Sequence, residues 1–346
     1  MHTVLIDVSA LDAEAWRQAV AAGTLARLGR ALRSHRPCAR QPGDAQAQAA
    51  WLSPAECWMR RALGLDEPEM QAPEQQAPWG ALAAAAAGLP VDGCAWALAW
   101  PVHLLLGRDS LRLHDPAQLR LDADDAQQLL DAVQPLLHEQ QWRIHVLHPG
   151  RWLLGHDSLR DVRTADPSRA IGHNAASWMP GGDAAAPWRR LLTEMQMVWM
   201  QHPVNERRNR QGLPEVNAVW LHGCGVLPMR PANPFVLDAA QAQQWAQGSC
   251  AWLAALGEAL AAMPASRHPH PLHVLRPQLG DGQTADAACA ELDEQAAGLL
   301  RRALGEHAAV RVVLAGARGW ADVELRRPRA WHWWGDAAAR ELLGSL

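Results

Sequence analysis

Histidine, arginine, serine and carboxylate side chains carry the chemistry open to this chain, and their spacing limits what that chemistry can be. The apolar run Thr3-Val4-Leu5-Ile6 ends on Asp7, a carboxylate at a strand end where it can cap a neighbouring helix. Ser53-Pro54 opens a helical stretch and has the form of an N-cap followed by proline at the first helical position. His268, His270 and His273 gather around Pro269 and Pro271. Imidazoles at such spacing can ligate a metal, although proline-flanked histidines in a loop are more often solvated. Arg207, Arg208 and Arg210 follow Asn205 and read as a solvated charge cluster or as guanidinium forks for an anion such as phosphate. His332 sits among Trp331, Trp333 and Trp334, either an aromatic docking surface or a segment packed on the core.

Composition removes several alternatives. All 32 basic residues are arginine, so a Schiff-base lysine and a P-loop lysine are both excluded. Tyrosine is absent, which removes a phenolic acid or base, whereas tryptophan occurs 18 times. The six cysteines are scattered without a CxxC pair, against a zinc ribbon or disulfide framework and in keeping with a reducing cytosol. A net charge of −4 makes no electrostatic case for nucleic acid or an anionic membrane. No apolar run reaches membrane-span length, and the N-terminus lacks the pattern of a signal peptide, so a cytoplasmic location is expected.

These groups need elements to hold them. With 346 residues, 49% of them hydrophobic, the chain can bury a sizeable core. Helical periodicity is expected over 12–32, 54–63, 122–138, 188–202, 239–263 and 286–304. Strands are expected over 3–7, 94–106, 142–147, 152–154, 217–221, 272–275, 310–314 and 321–325, and a polar, proline-broken loop over 67–78. Strands alternating with long helices predict an α/β fold with a mainly parallel sheet.

The segment 194–228 reads EMQMVWMQHPVNERRNRQGLPEVNAVWLHGCGVLP. It resembles the signature of archaeal-type cofactor-independent phosphoglycerate mutases. In that signature a helix ends in His-Pro-x-Asn, an arginine follows three residues later, and an asparagine-led strand runs into Gly-x-Gly. The matching positions are His202, Pro203, Asn205, Arg208, Asn217, Gly223 and Gly225, with His222 where the family usually has arginine. Pro101, Val102 and His103 stand where the family's strand ends in Arg-Cys-Asn. Arg151-Trp152-Leu153-Leu154 is similar to its Arg-His-Leu-Leu. Asp166-Pro167 and Ile171-Gly172 resemble its Asp-Pro-His-Asp-Ile-x-Gly, with Ser168 and Arg169 substituted. The likeness covers residues 90–230 and is similar to a proteobacterial offshoot also labelled an Rpf-type regulatory protein.

The resemblance implies an alkaline-phosphatase-like sheet flanked by helices, formed by residues 1–100 and 176–346, with a smaller α+β subdomain inserted at 101–175. Its enzymes use two divalent metals, manganese or zinc, held by Asp and His, and a serine that is transiently phosphorylated. Carried over, Asp7 is the strand-end metal ligand and Ser53 the default nucleophile, ahead of Leu63-Gly64-Leu65-Asp66. Arg151, Asn205, Arg208, Asn217 and His103 become candidates for binding substrate or an anion. The departures are specific. Val8 replaces the usual glycine, no second histidine follows His273 and Asp281, and Gly316-Ala317 stand where Asp-His is expected. Hard metals need converging anionic oxygens, so the expectation is a degenerate site with no cofactor. The protein would then be a bacterial regulatory or binding protein for a phosphorylated small molecule or a protein partner. The alternative is an active, metal-dependent isomerase interconverting 2- and 3-phosphoglycerate.

Overall fold

The structure, a computed structural model, describes residues 2–41, 51–65, 76–228, 233–248, 250–267, 269–277, 284–317, 319–327 and 336–346. In chain order the elements begin with β1 (His2–Asp7), α1 (Ala13–Ala22), α2 (Ala26–Ala31), β2 (His35–Gln41), α3 (Pro54–Ala62) and α4 (Trp79–Ala86). Next come β3 (Trp96–Val102), β4 (Leu104–Leu106), β5 (Leu111–Leu113), α5 (Ala123–Glu139), β6 (Arg143–His148) and β7 (Arg151–Gly155). Then follow α6 (Ala186–Met200), α7 (Pro203–Arg210), β8 (Ala218–Gly225), β9 (Phe235–Leu237), α8 (Ala239–Gln247) and α9 (Ala251–Ala262). The chain closes with β10 (His270–Leu275), α10 (Ala285–Glu306), β11 (Ala309–Ala315), β12 (Trp320–Arg326) and α11 (Asp336–Gly344). Two compact units result: Met1–Gly64 with Ala232–Asp238 and Ala265–Leu346, and Leu65–Pro231 with Ala239–Pro264.

The first unit is built on a six-stranded sheet in the order β2-β12-β11-β1-β10-β9. The four strands β11, β1, β10 and β9 run parallel, while β12 and β2 add antiparallel at one edge. Every residue of β1 is buried, as expected for a strand covered on both faces. Helix α10 turns Leu292, Ala296, Leu300 and Ala303 into the same core as Val4, Ile6, Val310 and Val312. Its N-terminus is fixed by Thr284, whose hydroxyl accepts from the Ala287 N–H. Trp16 ties α1 to α11 through an Nε1 hydrogen bond of 2.8 Å to the Leu343 carbonyl.

The second unit carries a four-stranded antiparallel sheet, β6-β7-β3-β8, and the two-stranded hairpin β4-β5. Helix α4 lies close over the end of β8. A Cβ on Gly223, whose φ is +61°, would fall 2.6 Å from the Trp79 Cβ, so only glycine satisfies both the turn and the approach. Trp79 in turn faces Trp252 of α9 at 5.7 Å between ring centroids.

The α/β class with a mainly parallel central sheet is observed, and several elements differ in extent. The expected helix 12–32 divides where Gly23 takes a left-handed C-cap, and 239–263 divides into α8 and α9. The strand expected over 94–106 stops at Val102 and resumes beyond His103 as a separate hairpin. Because β3 pairs with β8 and β7, the second unit takes in flanking chain as well as residues 101–175. Among the described residues no helix is long and apolar enough to cross a membrane.

Candidate functional site

Parallel strands deliver their C-terminal residues to one rim of a sheet, the common place for chemistry in such folds. Asp7 ends β1, pairs in register with Ala315 of β11, and has Arg276 next along β10. The Asp7 carboxylate is fully buried. Its Oδ2 lies 2.9 Å from Arg276 Nε, and its Oδ1 accepts from the Ser9 N–H at 3.0 Å and the Ser9 hydroxyl at 2.6 Å. Both oxygens therefore face cationic or donor groups of this chain.

Two other positions implied as ligands, Gly316 and His273, are engaged elsewhere. A Cβ at Gly316 would lie 2.5 Å from both the Leu346 carbonyl oxygen and its Cβ, so aspartate there would have to move Leu346. His273 pairs in register with Val4, three residues or about 10 Å short of Asp7. Its Nδ1 instead sits 2.8 Å from His2 Nε2, and the two rings stack. Burial, with His273 and His307 adding charge repulsion, pulls the His2 pKa down to about 4. Among the described residues this donor set does not fit a two-cation centre, since no group of three or more His, Cys, Asp or Glu there could hold a metal ion. Asp66, Asp281, His268 and the Trp331–Trp334 segment with His332 lie outside the described residues.

Ser53 is buried at the N-cap of α3. Its Oγ accepts from the Glu56 N–H at 3.2 Å, and the Ser53 N–H donates to the Glu56 carboxylate at 2.9 Å. Pro54 occupies the first turn, which completes a capping box. Its surroundings are those of a helix cap.

In the second unit, the residues that carry the resemblance bind backbone. Asn205 Nδ2 donates to the Trp199 and Val216 carbonyls, and its Oδ1 accepts from the Val216 N–H. Asn217 exchanges two hydrogen bonds with Leu104, Oδ1 accepting at 2.8 Å and Nδ2 donating at 2.9 Å. Arg208 is fully buried, and its guanidinium donates to the carbonyls of Pro214, Arg120 and Leu119, with Asp125 at 3.8 Å. Arg207 and Arg210 flank it, and Arg207 pairs with Asp125 at 2.7 Å. His202 caps α7 by accepting from the Val204 N–H. These side chains are clamps that hold 199–217 against the 104 and 119–120 segments, and their orientation toward main chain explains why they do not meet as an anion cradle.

Arg208 leads to a cleft by another route. The carbonyls it holds belong to Leu119 and Arg120, and Arg120 is left at φ +50°, uncommon for a residue with a side chain. Arg120 and Arg151 both line a cavity of about 190 Å³, with Trp100, Pro149 and Gln247 among its other walls. Arg151 is largely buried, lies 3.6 Å from Glu258, and stands 6.0 Å from the Trp100 ring centroid. Burial pulls its pKa below the ordinary arginine value and Glu258 opposes that. His148 Nε2 also approaches Glu258, at 3.2 Å. Of the anion candidates, Arg151 faces this cleft. Arg120, Arg276 and Glu258 had no sequence signal beyond their charge, although Arg276 directly follows an apolar strand as Asp7 does.

His222 and Asp166 form a buried pair 3.6 Å apart. Asp166 also accepts from the N–H groups of Ser168 and Trp252, which fixes the start of α9. Next along β8, the Cys224 thiol is pushed up to about 12 by full burial, too high for a reactive thiolate.

No family model matches the chain. It is 32% identical over 72 residues to a 2,3-bisphosphoglycerate-independent phosphoglycerate mutase of Methanothrix thermoacetophila, covering 21% of this chain and 18% of that protein. It is 24% identical over 131 residues to a probable enzyme of the same description from Geobacter sulfurreducens, covering 37% and 32%. The curated relatives are phosphoglycerate mutases. The matched segments span about a fifth and a third of those relatives' lengths, so the likeness is mutase-like at low identity. Among solved structures, the PH0037 protein of Pyrococcus horikoshii superposes with a TM-score of 0.47 at 13% identity, covering 94% of this chain and 87% of that one. The cofactor-independent phosphoglycerate mutase of Thermoplasma acidophilum superposes with a TM-score of 0.36 at 16% identity, covering 93% and 89%.

Proposed function

We propose that this chain is a mutase-like protein that binds a small phosphorylated ligand without turning it over, and acts as a binding or regulatory protein. The observation that carries the reading is Arg276 seated on the buried Asp7 carboxylate. With Arg276 on that carboxylate and Leu346 against Gly316, two positions expected as metal ligands are engaged within the chain, which supports a reading without turnover. The cleft is lined by Arg120 and Arg151, basic residues suited to a phosphate, with Arg151 offset in part by Glu258.

The test is an enolase-coupled assay with 3-phosphoglycerate in the presence of manganese, cobalt or zinc, alongside elemental analysis of the purified protein. No turnover is expected. Metal-dependent turnover carried by stoichiometric metal would reject the binding-protein reading in favour of an active mutase. In parallel, calorimetry with 3-phosphoglycerate should give saturable binding that Arg151→Met weakens about tenfold or more, since a charge-assisted contact is lost. A flat titration at millimolar ligand would remove the phosphorylated-metabolite reading and leave a protein partner as the object of search.

A further inference from the structure

The hairpin β4-β5 places two imidazoles opposite one another. The register Leu104↔Leu113 continues by one pair to His103 and His114, and the His114 N–H donates to the His103 carbonyl at 3.0 Å. Residues directly opposite in an antiparallel pair project from the same face, with Cβ atoms about 5 Å apart. The two rings are near perpendicular, with centroids 6.1 Å apart.

His103 Nδ1 and His114 Nε2 are both buried, and neither has a hydrogen-bond partner among the described residues. Buried nitrogens usually find a partner, so two such atoms on facing rings ask for an explanation. Burial lowers the His103 pKa, with His114 and Arg208 adding to that and Glu215 opposing it.

The backbone beneath the pair is held from outside the hairpin. Asn217 donates its N–H to the Val102 carbonyl and brackets Leu104 with its amide, so both neighbours of His103 are fixed. On the other strand, Asp115 accepts from the Ala117 N–H, and Arg208 holds Leu119. Pre-organised neighbouring donors are what a chelating site requires.

We infer that His103 Nδ1 and His114 Nε2 form a two-imidazole site for a divalent transition metal of the copper, nickel and zinc group. Each metal–nitrogen bond is about 2.0–2.1 Å, and a metal bridging two imidazoles spans a ring separation of this order. No third side chain of the usual ligand types completes the site among the described residues, so water fills the remaining positions. Neither histidine lines the Arg151 cleft, and the assignment would hold whether or not the binding-protein reading does.

Copper(II) is the probe for affinity, because imidazole sites bind it most tightly in the divalent series. Electron paramagnetic resonance should give a first-bound copper with two nitrogen ligands. His103→Gln and His114→Gln should each weaken that copper by about tenfold or more, and the double variant should lose less than the two single losses combined, because chelation is lost with the first ligand. Unchanged copper affinity in folded single variants would overturn the assignment. A second measurement avoids substitution: nitrogen-15 spectra of the wild-type imidazoles during zinc titration. Shifts at His103 Nδ1 and His114 Nε2 are expected, and spectra in which other histidines shift while these two stay fixed would also overturn it.

Discussion

At the scale of single residues, the Asp7–Arg276 pair and the His2 ring are the groups whose energetics can be read most directly. Removing one member of a buried ion pair strands the other, at a cost of about 3–5 kcal/mol. Arg276→Ala should therefore lower stability by an amount in that range in urea titrations, and Asp7→Asn combined with it should recover part of the loss. A double-mutant cycle without coupling would show that the pair is not an energetic unit. His2 gives a prediction in pH. Its folded pKa, about 4, lies below the ordinary value of 6.5, so the unfolded chain binds more protons between those limits. The contribution from His2 is thus complete above pH 6.5 and is lost as pH falls towards 4, amounting to roughly 2 kcal/mol after screening. His2→Phe should flatten the stability profile across that window. An unchanged slope would place the proton uptake on another group.

At the scale of elements, the capping box of α3 and the clamp formed by α7 make different demands. Ser53→Ala removes a cap hydrogen bond and should destabilise by about 1 kcal/mol while leaving 3-phosphoglycerate binding unchanged. A loss of binding without a change in melting temperature would return Ser53 to a chemical role. Arg208 acts through what it holds, the Leu119 and Arg120 carbonyls beside the cleft. Arg208→Met should weaken 3-phosphoglycerate binding although the guanidinium itself donates to main chain, and crystallography of the variant should find Arg120 relaxed from its positive φ. An unmoved Arg120 would show that the loop keeps its shape unaided. Several elements were legible beforehand because periodicity is local: β1, α5, α6, α10 and β11 follow from apolar spacing alone. The break at His103 and the division of 239–263 were not, since both depend on pairing with partners distant in sequence.

At the scale of the whole molecule, two compact units built from interleaved segments predict separable responses to local damage. Hydrogen exchange on Arg276→Ala should show lost protection in β1, β10 and β11 and unchanged protection in β3, β7 and β8. Loss spread equally over both groups would mean that the chain opens as one cooperative unit. Sequence by itself determined the α/β class, the absence of lysine chemistry and the mutase-like signature around Asn205 and Arg208, because these rest on residue identity and short-range periodicity. The resemblance also set Gly316-Ala317 where Asp-His was expected. Only the tertiary structure decided what the surviving polar residues touch. Arg276 reaches Asp7 across some 270 positions of chain, Leu346 closes over Gly316, and His114 comes opposite His103 through a hairpin. A side chain's chemistry is set by its neighbours' charge and by its access to water, and those follow from strand order and register, which no local pattern encodes.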